Sequence, residues 1–244
     1  MSPTNPRPPS SETAVAPAPG TARYSAVKLL GALGLLFVSA PFVQDLPQGE
    51  LIESLLLTLV MVAALLAVGG RRRTHLIALA LLVPALAGKW INHFRPDLMS
   101  PTVYIFGAIF FYGFVVAHLL RFIVRAPRVD ANVLCAGVAG FLLLGLLWVP
   151  AYLLVARLNP AAFILPAGSG TGAVLSGFDA FYFSFITLCT IGYGDITPAS
   201  KVARMLAMME GITGLFYMAV LISRLVSIHS SGQPAAGTQA EREP

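Results

Sequence analysis

The hydrophobic positions of this chain fall into long uninterrupted runs, with little of the polar alternation that marks a half-exposed helix or strand. Runs long enough to cross a hydrocarbon core of about 30 Å recur at Val27–Val43, Leu51–Val68, His75–Ile91, Thr102–Val124, Asn132–Val155 and Val202–Ile228, which predicts six membrane spans. A shorter apolar segment stands between the last two: Ser176-Gly177-Phe178-Asp179 followed by AFYFSFITLC. It predicts a helix from Phe178 to Cys189, with Ser176 as N-cap and Asp179 in the first turn, too short to span. Thr190 to Asp195, TIGYGD, follows it directly. Irregular backbone at membrane depth is tolerated only where protein buries it or water reaches it. The segment is therefore expected to line a cavity that admits water.

Residues 1–22 are rich in Pro, Ser, Thr and Ala without periodicity and read as a disordered tail. Leu29 to Ala40 can be read as the apolar part of a secretory signal, but Pro41 and the long polar leader favour a retained first helix. Arg7, Arg23 and Lys28 precede the first span, Arg71-Arg72-Arg73 follow the second, and Arg121, Arg125 and Arg128 follow the fourth. These positions share one side, the cytoplasmic side by the distribution of positive charge. The other side receives Asp45, Glu50 and Glu53, then Arg95 and Asp97, then the Gly/Pro-rich segment Leu158–Gly177. Both ends are thus expected in the cytoplasm, with TIGYGD entering from outside. The expected divisions are a tail at 1–25, a four-helix unit at 26–128, a two-span unit at 129–229 and a short tail at 230–244. About sixteen residues after the last span, mostly small or polar, are too few for a folded sensing domain.

Composition sharpens the class. Of 244 residues 57% are hydrophobic and 11% charged, with a mean hydropathy of +0.78, against about 25% charged in soluble domains. The expectation is an all-α integral membrane protein. The net charge of +5 comes from small basic clusters beside apolar segments, not from a basic face with interleaved aromatics, so no nucleic-acid surface is expected. Cys135 and Cys189 both lie in apolar runs and show neither a disulfide framework nor paired metal-ligand spacing.

Thr190-Ile191-Gly192-Tyr193-Gly194-Asp195 resembles the selectivity filter of potassium channels. The likeness continues on both sides. Phe178-x-Ala180-x-Tyr182-Phe183-Ser184 is similar to the family's pore helix, Asp195-Ile196-Thr197-Pro198 to its outer mouth, and Met209–Gly214 with Leu221–Val226 to the inner helix of bacterial members. It covers roughly the last hundred residues, a two-span pore module. By that likeness the chain is a potassium-selective channel subunit that conducts K⁺ passively and catalyses no bond change, with no cofactor beyond the permeant ion. The alternatives are a weakly selective cation channel, or a non-conducting membrane scaffold or regulatory subunit.

Physical chemistry agrees with the likeness. An ion entering a bilayer loses water, and oxygen dipoles must replace its hydration shell. The carbonyls of Thr190, Ile191, Gly192 and Tyr193, with the Thr190 hydroxyl, are expected to supply them. Alternating ordinary and left-handed backbone aims successive carbonyls one way, and Gly192 and Gly194 accept left-handed angles without penalty. Tyr193 is then expected to point away and wedge against Tyr182 and Phe183, with Thr187 and Asp195 also supporting the loop. One loop supplies one wall, so a homotetramer is expected. Potassium transporters, by likeness, carry four such loops in one chain.

Some positions depart from the family pattern or stay open. Cys189 stands where members often have a second threonine, and Ile186 where some bacterial relatives have a glutamate, so Asp195 lacks a carboxyl partner there. Glu210, inside the last span, is either a buried acid hydrogen-bonded behind the filter or a pH-sensitive modulator of it. Gly211 and Gly214 are either an inner-helix hinge, for which the likeness favours Gly211, or small residues for close packing. Arg121 and Arg125 lie only at the cytoplasmic end of span four and Val103–Val116 is uncharged, so no strong voltage sensor is expected and the arginines read as ordinary anchors. His118 reads as a polar group near that interface, and Arg71, Arg72 and Arg73 as a site for anionic lipid head groups or merely as orienting charges.

Overall fold

The computed structural model describes residues 23–43, 46–68, 72–95, 97–98, 100–126, 130–166 and 174–230. The readings made for residues 1–22, Asp45, Arg71, Arg128 and 231–244 lie outside these. Among the described residues six helices are long and apolar enough to cross a membrane: α1 (Arg23–Val43), α2 (Gly49–Ala67), α3 (Arg72–Phe94), α4 (Pro101–Arg125), α5 (Ala131–Leu158) and α7 (Lys201–Ser230). Between the last two lies the short helix α6 (Gly177–Leu188). The six apolar runs are these helices, and the protein is an all-α membrane fold.

The boundaries move in instructive ways. Helix α1 continues through Pro41. Helix α3 outruns its apolar stretch at both ends, so Arg72 and Arg73 belong to its first turn instead of a loop. Hydropathy senses only the segment that sits in hydrocarbon, whereas backbone hydrogen bonding carries the helix on into the polar layer. Helix α6 starts one residue earlier than expected, and Cys189 is its C-cap.

Helix α5 is the hub, since α1, α4, α6 and α7 all pack on it. One apolar core runs from Leu29 and Leu33 of α1 through Val60, Phe111 and Leu143 to Tyr217 and Leu221 of α7. The first four helices therefore share a core with the segments that follow. A second core gathers Tyr152, Phe163, Phe183, Ile186, Ile196 and Ala203 around α6. Above it, β1 (Phe163–Ile164) pairs antiparallel with β2 (Thr197–Pro198), Phe163 opposite Pro198 and Ile164 opposite Thr197. Helix α7 buries little on its own chain: Val202, Met205, Met208, Ile212, Leu215 and Phe216 are all exposed.

Candidate functional site

The site is built on α6. Its start is fixed by a reciprocal cap: Asp179 N donates to Ser176 Oγ at 3.1 Å, and Ser176 N donates to Asp179 Oδ2 at 3.1 Å. These two bonds satisfy donors that a helix start leaves unpaired. Aromatic side chains hold the rest. Phe183 packs edge-on to Tyr152 of α5 with ring centroids 4.9 Å apart and to Phe163 at 5.6 Å. Phe37 of α1 meets Phe181 at 4.9 Å and Phe185 at 4.7 Å. Helix α6 is thus clamped between α1, α5 and α7, and its negative end is aimed at the residues that follow.

Those residues leave the helix in a special conformation. Thr190, Gly192 and Gly194 have φ of +58°, +55° and +82°, the left-handed region, at every second position. The alternation expected from the two glycines is present, and it begins one step earlier than the glycines announce, at Thr190. The amide of Thr190 donates to Thr187 O at 3.0 Å, and those of Ile191 and Gly192 to Ile186 O at 2.8 and 3.2 Å. The loop is tied back to the end of α6 through its N–H groups. None of the carbonyls from Thr190 to Gly194 accepts a hydrogen bond among the described residues. These carbonyl oxygens are left without a partner in the described chain. After the loop the strand pairing anchors the return, with Ala199 N and Ser200 N donating to Ala162 O at 2.8 and 3.2 Å.

The supporting residues divide. Thr187 lends its carbonyl to the turn. Tyr182 and Asp195 interact through their side chains. Phe183, expected to brace Tyr193, faces the Tyr152 and Phe163 rings instead. Tyr193 is 72% exposed on the single chain.

Glu210 is completely buried. The Tyr152 hydroxyl donates to its Oε2, and Ser184 Oγ lies 2.5 Å from its Oε1 and 2.9 Å from Gly145 O. Three helices, α5, α6 and α7, meet on this one carboxylate. Sequence reasoning missed Tyr152 and Ser184; the signal was available, because a buried acid requires donors nearby. The two glycines have unlike surroundings. A Cβ at Gly214 would come within 2.7 Å of Leu188 O, whereas one at Gly211 would meet nothing within 4 Å. One further residue was passed over: Lys89, in α3, which feels the charge of Glu53.

Comparison with known proteins covers this same region. Residues 136–230 match the family model described as ion channel. A two pore potassium channel c of Oryza sativa subsp. japonica is 47% identical over 49 residues, 20% of this chain and 11% of that protein. Two-pore potassium channel 3 of Arabidopsis thaliana is 45% identical over the same length, again 20% and 11%. A hyperpolarization-activated voltage-gated potassium channel of Methanocaldococcus jannaschii is 40% identical over 53 residues, 22% of this chain and 24% of that protein. The chain thus spans about a tenth of the length of the plant relatives it matches. No solved structure matches it. Residues 136–230, which carry the clamped short helix and the alternating backbone, are thus similar to an ion-channel domain, and stretches of the chain are similar to potassium channels.

Proposed function

We propose that four copies of this chain surround one axis and conduct K⁺ passively through a ring of backbone carbonyls. The observation that carries the reading is the left-handed backbone at Thr190, Gly192 and Gly194 with unbonded carbonyls between. Such a row stands in for an ion's hydration shell. The carbonyls of Thr190, Ile191, Gly192 and Tyr193 are the K⁺ ligands in this reading, and Gly194 completes the loop. No bond is made or broken, and the ion is cargo, so no cofactor is required.

One chain supplies one wall, and potassium-channel likeness makes the number of walls four. Two features of the single chain support association. The apolar side of α7 at Met205, Met208, Ile212 and Phe216 lies uncovered, and so does the Tyr193 ring. Neighbouring copies cover both. Thr187, Tyr182, Asp195, Phe183 and Glu210 then hold the ring in place from behind.

The basic residues Arg72, Arg73, Arg121 and Arg125 sit at helix ends that the positive-inside distribution assigns to the cytoplasm. The filter loop then opens outward, in a plasma membrane or bacterial inner membrane, and Arg72 and Arg73 are placed to meet anionic head groups. With no charge between Pro101 and Leu120 of α4, voltage has little to act on there.

Gly192→Ala tests the carbonyl ring. A side chain at φ +55° costs roughly 1–2 kcal/mol in each copy. The expected result is loss of K⁺ flux from proteoliposomes with the oligomer's mass unchanged; flux at the wild-type rate contradicts the reading.

A further inference from the structure

Glu53 lies in the second turn of α2, yet its carboxylate serves another element. A methyl group added at Gly177 would come within 3.3 Å of its Oε1. The acid therefore sits against the first residue of α6, where unpaired amides and the positive end of the helix favour an anion. Two cavities of about 740 and 560 Å³ meet at this point, both lined by Glu50, Glu53, His93 and Gly177. Each volume falls within the ordinary range of small-molecule sites, about 300–1,000 Å³.

The larger cavity runs between α1, α2 and the first turn of α6, with apolar and aromatic walls at Leu36, Leu56, Leu57, Phe178 and Phe181. The smaller continues among α2, α3 and α4 past Lys89 and Asn92. Lys89 feels the charge of Glu53, which offsets part of the charge of one of the two carboxylates. Glu50 has no cationic partner among the described residues. Asn92 Oδ1 is buried and accepts no hydrogen bond, a state that native interiors avoid. The unmet polar groups are thus acceptors and the local balance of Glu50, Glu53 and Lys89 is negative, while the walls are hydrocarbon and aromatic. Acceptors with residual negative charge at one end and an apolar tunnel at the other fit a protonated amine carried on a hydrocarbon body.

We propose that this cavity binds an ammonium-bearing amphiphile, its head at Glu50 and Glu53 and its apolar body along Leu57, Phe178 and Phe181. The occupant touches the first turn of the helix whose far end carries the filter loop, so it joins the first four helices to the filter. Binding itself does not depend on ion conduction; only its effect on flux rests on the channel reading.

The test is equilibrium binding of decylammonium to the full chain in uncharged maltoside micelles, with decanoate as competitor, together with extraction of any aminophospholipid that copurifies. The expected result is saturable decylammonium binding that decanoate does not displace. It weakens at least about tenfold in the doubly substituted Glu50→Gln, Glu53→Gln chain. It is lost in Leu57→Trp, which fills the cavity and leaves both charges. Aminophospholipid retained by the wild type and lost from the double variant identifies a lipid head group as the occupant; decylammonium binding without retained lipid identifies a soluble amine. Equal affinity in wild type and the double variant, displacement by decanoate, or neither ligand bound overturns the proposal, whatever the K⁺ flux proves to be.

Discussion

Glu210 shows how one side chain can hold three helices in register. Its carboxylate is the acceptor for Tyr152 of α5 and Ser184 of α6, in a site without solvent contact. Replacing it with leucine leaves the buried Tyr152 hydroxyl without an acceptor, at about 1–3 kcal/mol, while Ser184 Oγ keeps Gly145 O. Glu210→Leu is therefore expected to melt well below wild type and Glu210→Gln in between, since the amide oxygen still serves one donor. Thermal unfolding of the detergent-solubilised protein checks the order; a leucine variant as stable as wild type contradicts it. The residue was conspicuous in the sequence as an acid inside an apolar run. Its partners were not, because they stand 58 and 26 positions away and both look like ordinary members of apolar helices. Lys89 escaped notice for a related reason: a single lysine near the end of a long span reads as an interfacial anchor until the fold brings it within the field of Glu53.

Among the elements, α6 was the most legible. Ser176 and Asp179 at capping-box spacing fixed its start, and TIGYGD fixed its end, because both signals are local. The β1–β2 pairing was illegible, since two-residue strands leave no alternation to detect and their register follows from how α5 and α7 place their ends. Helix α7 depends on the same contacts at Gly214, whose missing side chain lets the inner helix reach the backbone of Leu188, two residues before the filter begins. Gly214→Ala must push that carbonyl aside, an overpacking cost of about 1–3 kcal/mol, and is expected to lower both thermal stability and K⁺ flux. Gly211→Ala meets nothing within 4 Å and adds up to about 1 kcal/mol of helix propensity, so its stability is expected to equal or exceed wild type. Equal damage from the two substitutions contradicts the distinction between a packing glycine and an uncrowded one.

For the whole molecule, the first four helices share the core of α5 and α7 instead of standing apart from it. A charge-bearing helix that slides through the field needs a separable bundle and charges within the span, and α4 has neither. Arg121 and Arg125 are exposed at its end. Changing both to Gln is expected to leave the voltage dependence of the current unaltered in planar-bilayer recordings, whereas a large shift of the activation curve contradicts that assignment. In the proposed assembly, neighbouring copies cover the surfaces that one chain leaves exposed, the side of α7 and the Tyr193 ring. The account stands or falls on what passes between four such loops. A bilayer recording of the purified protein with potassium on one side and sodium on the other measures it: a reversal potential near that of potassium is the predicted result, and equal permeation of the two ions, or no current, contradicts it.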